Sequence, residues 1–316
     1  MSKTASPERR SNLRTGVIFA IAAQLIWGVF PLYLKLLQPT PAVAIVAHRV
    51  LWSFCFLILL VLLTSSLRLP GLPKWSDLRA VFGTPKTLLW LFCASLLILG
   101  NWLGFVAAVA LDRTMDASVG YYICPQVVML LGVIFQKETL SKSQWTAFGC
   151  TSLGVLAMAA STAGIPWFGL MVAFSFGFYA LTKKRIDCAA LTSLTFETGI
   201  LLLPAATFLV YQITMAGPIE AHADPTLVSS WLLNLLLMLT GVITILPLAF
   251  YVESVKRIPL SLVGLLQYIG PTIQFGLSVF VLGDPFDWPR VIGIMLIWAG
   301  VIQYLRSMRA SSQAER

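Results

Sequence analysis

The chain has 316 residues, of which 58% are hydrophobic and 11% charged, with a mean hydropathy of +0.85. That balance excludes an ordinary soluble domain and points to a protein that lives in lipid. Its 22 Lys and Arg against 13 Asp and Glu give a formal charge of +9. The basic residues cluster in short gaps between apolar runs, so the excess reads as a topology signal and no nucleic-acid partner is expected.

A spanning helix needs about 20 apolar residues. Runs of that kind fall at 15–37, 42–64, 87–111, 116–135, 144–163, 166–182, 192–213, 228–252, 259–282 and 288–306, so ten transmembrane helices are expected. The first run follows SKTASPERRSNLR and continues through Leu37, too long for a cleaved signal peptide. With the N-terminal tail in the cytoplasm, eighteen of the twenty-two basic residues fall on that side, including Lys183, Lys184 and Arg185 between the sixth and seventh runs. Lys35, Arg113 and Arg290 face the other side, and Arg49 belongs to the second run. Such asymmetry sets orientation: both termini are expected in the cytoplasm and the acidic loop GPIEAHADPT (Gly217–Thr226) outside.

The chain also repeats itself. A shift of 146 aligns Pro125 with Pro271, Glu138 with Asp284 and Gly154 with Gly300; a shift of 148 aligns Arg49 with Glu197; a shift of 149 aligns Trp27-Gly28 with Phe176-Gly177 and Lys35 with Lys184. Because five crossings is an odd number, a second copy enters the membrane from the opposite face. The halves are then inverted, the arrangement behind alternating access. The expected fold class is all-α integral membrane: ten helices as two inverted five-helix repeats, residues 15–163 and 164–306, around a central cavity, between tails 1–14 and 307–316.

Two such halves, together with WGVFPLYLK (Trp27–Lys35), AHRVLWS (Ala47–Ser53) and the paired P-x12-E and P-x12-D spacings, resemble the drug/metabolite transporter superfamily, specifically EamA-type permeases of the RarD group. The resemblance covers nearly the whole chain. It implies a ten-helix transporter of the bacterial inner membrane, with a cavity lined from both halves.

Charge inside a bilayer costs roughly 2.5–3.5 kcal/mol per residue on insertion scales. Arg49 and Glu197 are the candidates within spans. Arg49 either snorkels to the outer headgroups or clamps a neighbouring carbonyl, or else holds an anionic group of the substrate or balances a carboxylate in the cavity. Glu197, in LTFETGILLLP, is either an interfacial acid or a proton-coupling group; His48 is either an interfacial hydrogen-bonder or a second coupling residue. The cavity wall is expected from Trp27, Tyr33, Asn101, Trp102, Tyr121, Tyr122 and Gln126 in the first half, and from Phe176, Tyr179, Tyr251, Gln267, Tyr268 and Gln274 in the second. Each could instead join an interfacial belt or a helix contact.

Pro31, Pro125, Pro204, Pro247 and Pro271 lie inside apolar runs and should bend them. Glu138 and Asp284 are placed to complement the start of the helix that follows each, and Gly149, Gly154, Gly293 and Gly300 to let the fifth and tenth helices pack closely.

Five cysteines without a C-x-x-C pair imply neither a disulfide framework nor a metal site. There is no P-loop for ATP, no H-E-x-x-H and no G-x-S-x-G, so an enzyme is not expected, no cofactor is implied and energy must come from a gradient. The expected function is secondary transport, as an exporter of small amphipathic or aromatic solutes: metabolites, amino acids or drugs. An importer or facilitator is the alternative, and a membrane scaffold a further one. A monomer is expected, since both halves lie in one chain.

Overall fold

The computed structural model describes residues 7–38, 40–67, 72–160, 164–217, 230–283 and 288–314, and among them every regular element is a helix. In chain order these are α1 (Pro7–Leu36), α2 (Ala42–Leu67), α3 (Trp75–Phe82), α4 (Pro85–Ala110), α5 (Thr114–Gln136), α6 (Lys142–Ala159) and α7 (Trp167–Arg185). There follow α8 (Ala190–Ala216), α9 (Ser230–Arg257), α10 (Leu260–Gln267), α11 (Ile269–Leu277) with a wider final turn at Ser278–Leu282, and α12 (Trp288–Ala314). Short α3 was not expected. It stays on the rim, with Trp75 and Phe82 exposed and Asp77 accepting from the Lys74 N–H at 2.9 Å.

Among the described residues eight helical stretches are long and apolar enough to cross a membrane: α1, α2, α4, α5, α8, α9, α10–α11 together, and α12. Helix α6, of 18 residues, and α7, of 19 residues ending in Lys183, Lys184 and Arg185, are not among them. The protein is a multi-pass membrane protein. Its outer surface agrees: Leu89, Leu156, Leu203 and Met295 are each more than 60% exposed, a covering that water would not tolerate and lipid favours. The interior is where small polar groups collect, with Ser53, Ser95, Thr151, Thr244 and Asn101 all buried.

The helices interdigitate. The extensive contacts join an element before residue 160 to one after residue 166: α6 with α12, α5 with α7 and α10, α4 with α7 and α8, α1 with α9 and α11, α2 with α8 and α9. Glycines set the closest approaches. A Cβ on Gly154 would stand 2.5 Å from the Gly293 carbonyl oxygen, and one on Gly264 2.5 Å from that of Pro125. Gly154, Gly293 and Gly300 thus let α6 and α12 touch, as expected of the fifth and tenth helices, whereas Gly149 faces open space and has no such role.

Polar clamps hold two ends. The Glu138 carboxylate accepts from the Leu260 and Ser261 N–H groups at 2.6 and 2.9 Å. It therefore caps α10, across the seam, and not the helix that follows it in sequence; the unpaired first-turn N–H groups there are what attract it. Asp284 and the loop residues 218–226 lie outside the described residues. Lys184 donates to the Val255 and Ile258 carbonyls at 2.8 and 2.7 Å, closing the end of α9.

Four of the five prolines sit inside helices that continue past them: Pro31 in α1, Pro125 in α5, Pro204 in α8 and Pro247 in α9. Pro271 coincides with a break, α10 ending at Gln267 and α11 starting at Ile269. A proline clashes with the carbonyl four residues earlier, here that of Gln267. The break lies beside the cavity.

Candidate functional site

A cavity of about 130 Å³ lies where α1, α2, α4, α5, α7, α9 and the α10–α11 break meet. A buried water takes roughly 10–15 Å³ on this measure, so on the order of ten waters fit, equivalent to ~300 Å³ of liquid and enough for a small organic molecule. Of the residues expected in the wall, Trp27, Arg49, Asn101, Trp102, Tyr121, Phe176, Gln267 and Gln274 line it. Gln24, Phe30, Ile98, Cys124, Val172 and Leu248 join them unannounced, with Gly270 and Pro271 at the helix break.

One wall is aromatic. Trp27 meets Phe176 edge-on at 5.8 Å and tilts against Tyr251 at 5.6 Å, and Phe176 lies 4.9 Å from Tyr251. Each such pair contributes about 0.5–1.5 kcal/mol beyond its buried area, so the three rings brace one another. Tyr251, fully buried, does not line the cavity; it backs the two rings that do.

The remaining polar wall is held from behind. Asn101 donates to the Val172 carbonyl at 2.8 Å, tying α4 to α7, and Gln274 donates to the Trp27 carbonyl at 3.0 Å, tying α11 to α1. The Gln267 amide nitrogen donates to the Tyr251 hydroxyl at 3.3 Å, while its buried Oε1 has no partner. Tyr122, Gln126 and Tyr268 also sit one layer back. Tyr122 donates to the Pro271 carbonyl at 2.9 Å, and Gln126 donates to Thr151 Oγ1 at 2.7 Å and to the Tyr268 hydroxyl, so the paired tyrosines fix the helix break. Tyr33 lies apart, donating to the Leu236 carbonyl.

Arg49 reaches into the cavity from α2. Its Nε donates to Thr244 Oγ1 on α9 at 2.9 Å, and its guanidinium carbon lies 4.7 Å from the Trp102 ring and 5.3 Å from the Phe30 ring. Four helices thus converge on one cation, which lines the cavity. Adjacent His48 does not line the cavity.

Glu197 and Tyr179 belong to a separate buried site. Lys183, counted from sequence as a cytoplasmic loop residue, is fully buried at the end of α7, where its Nζ pairs with Glu197 Oε1 and donates to Ser193 Oγ at 2.5 Å. Tyr179 donates to Glu197 Oε2 at 3.0 Å. Glu197 is therefore no lone acid, and it does not meet Arg49. Asp116, at the start of α5, is a further buried acid, paired with Arg113 at 2.7 Å.

The EamA-like transporter family matches the chain twice, over residues 14–160 and 163–306. An uncharacterized transporter, YojE of Bacillus subtilis, is 37% identical over 94% of this chain and 95% of its own. Protein RarD of Escherichia coli is 36% identical over 91% and 93%, and the chloramphenicol-sensitive protein RarD of Pseudomonas aeruginosa 30% identical over 91% and 92%. A protein solved by crystallography, 18% identical, shares the fold with a TM-score of 0.67 over 94% of this chain and 98% of that one. The chain belongs to the EamA-like transporter family, as a permease of the RarD group, and is a membrane transporter and not an enzyme.

Proposed function

We propose that the protein is a secondary transporter that exports small amphipathic or aromatic solutes by alternating access. The chain crosses the bacterial inner membrane ten times, as inverted repeats 15–163 and 164–306, with both termini in the cytoplasm, and works as a monomer. The pattern of helix partners supports the two-fold relation, because it survives exchange of the halves. Under that exchange α1–α9 becomes α7–α4, α1–α11 becomes α7–α5 and α2–α9 becomes α8–α4, while α2–α8, α5–α10 and α6–α12 map onto themselves. With five crossings per half the relation is an inverted one. The same exchange pairs α6 with α12, which supports counting the short α6 as a span.

The observation that carries the reading is the single-cation, aromatic cavity on this seam, lined from both halves. Stacking on Trp27 and Phe176 suits planar or amphipathic bodies with few fixed polar contacts. Energy comes from a gradient. Proton coupling through Glu197 requires Lys183 to withdraw, since the carboxylate is fully engaged in the arrangement described.

The test is flux in proteoliposomes under an imposed pH gradient, across aromatic amino acids and amphipathic drugs, chloramphenicol included. Saturable flux is expected, falling roughly tenfold in Trp27→Ala for the loss of about 1.4 kcal/mol of stacking. Flux no greater than in protein-free vesicles across the panel, or flux strictly linear in concentration, overturns the proposal.

A further inference from the structure

Arg49 is, among the described residues, the one charged residue lining the cavity. Among the described residues the salt bridges are Arg113–Asp116, Lys183–Glu197 and Arg257–Glu253, so no carboxylate stands within 4.0 Å of it. Its Nε is taken by Thr244, and no Nη group donates to a described residue. The flanking rings of Trp102 and Phe30 favour the cation and fix its place, yet they supply no negative charge. Arg49 is partly buried, so its guanidinium is partly shielded from water with no carboxylate of a described residue beside it, and its planar fork matches a carboxylate with two parallel hydrogen bonds.

We propose that the Arg49 fork receives a carboxylate, so that the solute carried is a monocarboxylate with an apolar or aromatic body. The inference rests on the transporter reading and narrows its substrate. Size and charge agree with it. The cavity wall carries one cation and no acid among the described residues, so a single negative charge neutralises it, whereas a dianion or a cation leaves charge unbalanced. Trp27 and Phe176 take the apolar body. The unpartnered Oε1 of Gln267 is an acceptor and favours a solute that also offers a neutral N–H or O–H.

The experiment compares 3-phenylpropionate with its primary amide, with phenethylamine and with sodium chloride. Binding is read by tryptophan fluorescence, since Trp27 and Trp102 border the site, and flux is read in proteoliposomes of the same preparation. The acid should bind at least roughly tenfold more tightly than the amide or the amine, the worth of one charge-assisted hydrogen bond. Arg49→Gln should reduce the acid to the level of the amide, and Arg49→Lys should keep part of the preference. If Arg49→Gln does not fold, the wild-type series and Arg49→Lys still decide. An amide or amine handled as well as the acid overturns the carboxylate site while leaving transport standing. Chloride that saturates the site and is not displaced by the acid overturns it in favour of an inorganic anion. Failure of all four compounds to bind or move, with no flux of any solute in the wider panel, sinks the transporter reading itself.

Discussion

Lys183 and Glu197 offer the sharpest test of how the buried charges work. Lys183 is fully buried and Glu197 is 2% exposed, and they pair directly, with Tyr179 and Ser193 completing the shell. Glu197→Gln leaves a buried ammonium with only neutral acceptors. Removing one partner of a buried ion pair costs about 3–5 kcal/mol, because the other charge is left uncompensated. At roughly 2 °C per kcal/mol for a chain of this size, thermal unfolding in detergent should fall by about 6–10 °C. Lys183→Met should do similar damage by stranding the carboxylate. The double variant Lys183→Met with Glu197→Gln should recover most of the loss, since no buried charge then remains. A Glu197→Gln protein as stable as the wild type, with the pH dependence of transport abolished, would refute a structural ion pair and restore Glu197 as a free proton carrier.

The glycines supply a matched pair of predictions. Gly154→Ala forces a Cβ to within 2.5 Å of the Gly293 oxygen and should destabilise by about 1–3 kcal/mol, whereas Gly149→Ala, with nothing within 4 Å, should be neutral or stabilise by up to about 1 kcal/mol; denaturation of the two side by side decides, and equal effects would contradict the α6–α12 contact. Cys188 lies in the turn before α8, where burial pushes its thiol above the ordinary value, so the thiolate is scarce at neutral pH. Its alkylation should be slower at pH 7 than that of an exposed thiol and should climb as pH rises past 9, the ordinary value for the group; a rate already flat by pH 8 contradicts this.

The spans were readable because lipid allows few alternatives: a segment that crosses it must be apolar throughout and hydrogen-bonded within itself. That constraint marks α1, α2, α4, α5, α8 and α9 plainly. The run expected at 166–182 stops short of the end of α7, because Lys183, Lys184 and Arg185 read as a loop, although the helix runs through Arg185 and turns Lys183 inward toward Glu197. Adjacent positions on a helix face different neighbours, so a basic run conceals an inward-facing member. Half of the cavity wall was visible for a similar reason. Trp27, Arg49, Asn101 and Gln267 stand out in apolar runs, whereas Ile98, Val172 and Leu248 look like any core residue. Gln24, an amide within IAAQLIWG, carried the same signal as Asn101 and could have been named. Glu138 was expected to complement the helix that follows it, yet it caps α10 across the seam, and local sequence does not report partners 122 residues away.

Whether the seam cavity opens to each side of the membrane in turn is measured most directly by thiol accessibility at Phe30, which lines it. In a background with the five native cysteines replaced, Phe30→Cys is treated with a membrane-impermeant thiol reagent in right-side-out and in inside-out vesicles, with and without a saturating solute gradient. Labelling should occur from both faces, and reversing the gradient should raise the rate on one face while lowering it on the other. Labelling from a single face under every condition, or equal rates from both faces that no gradient alters, would contradict alternating access.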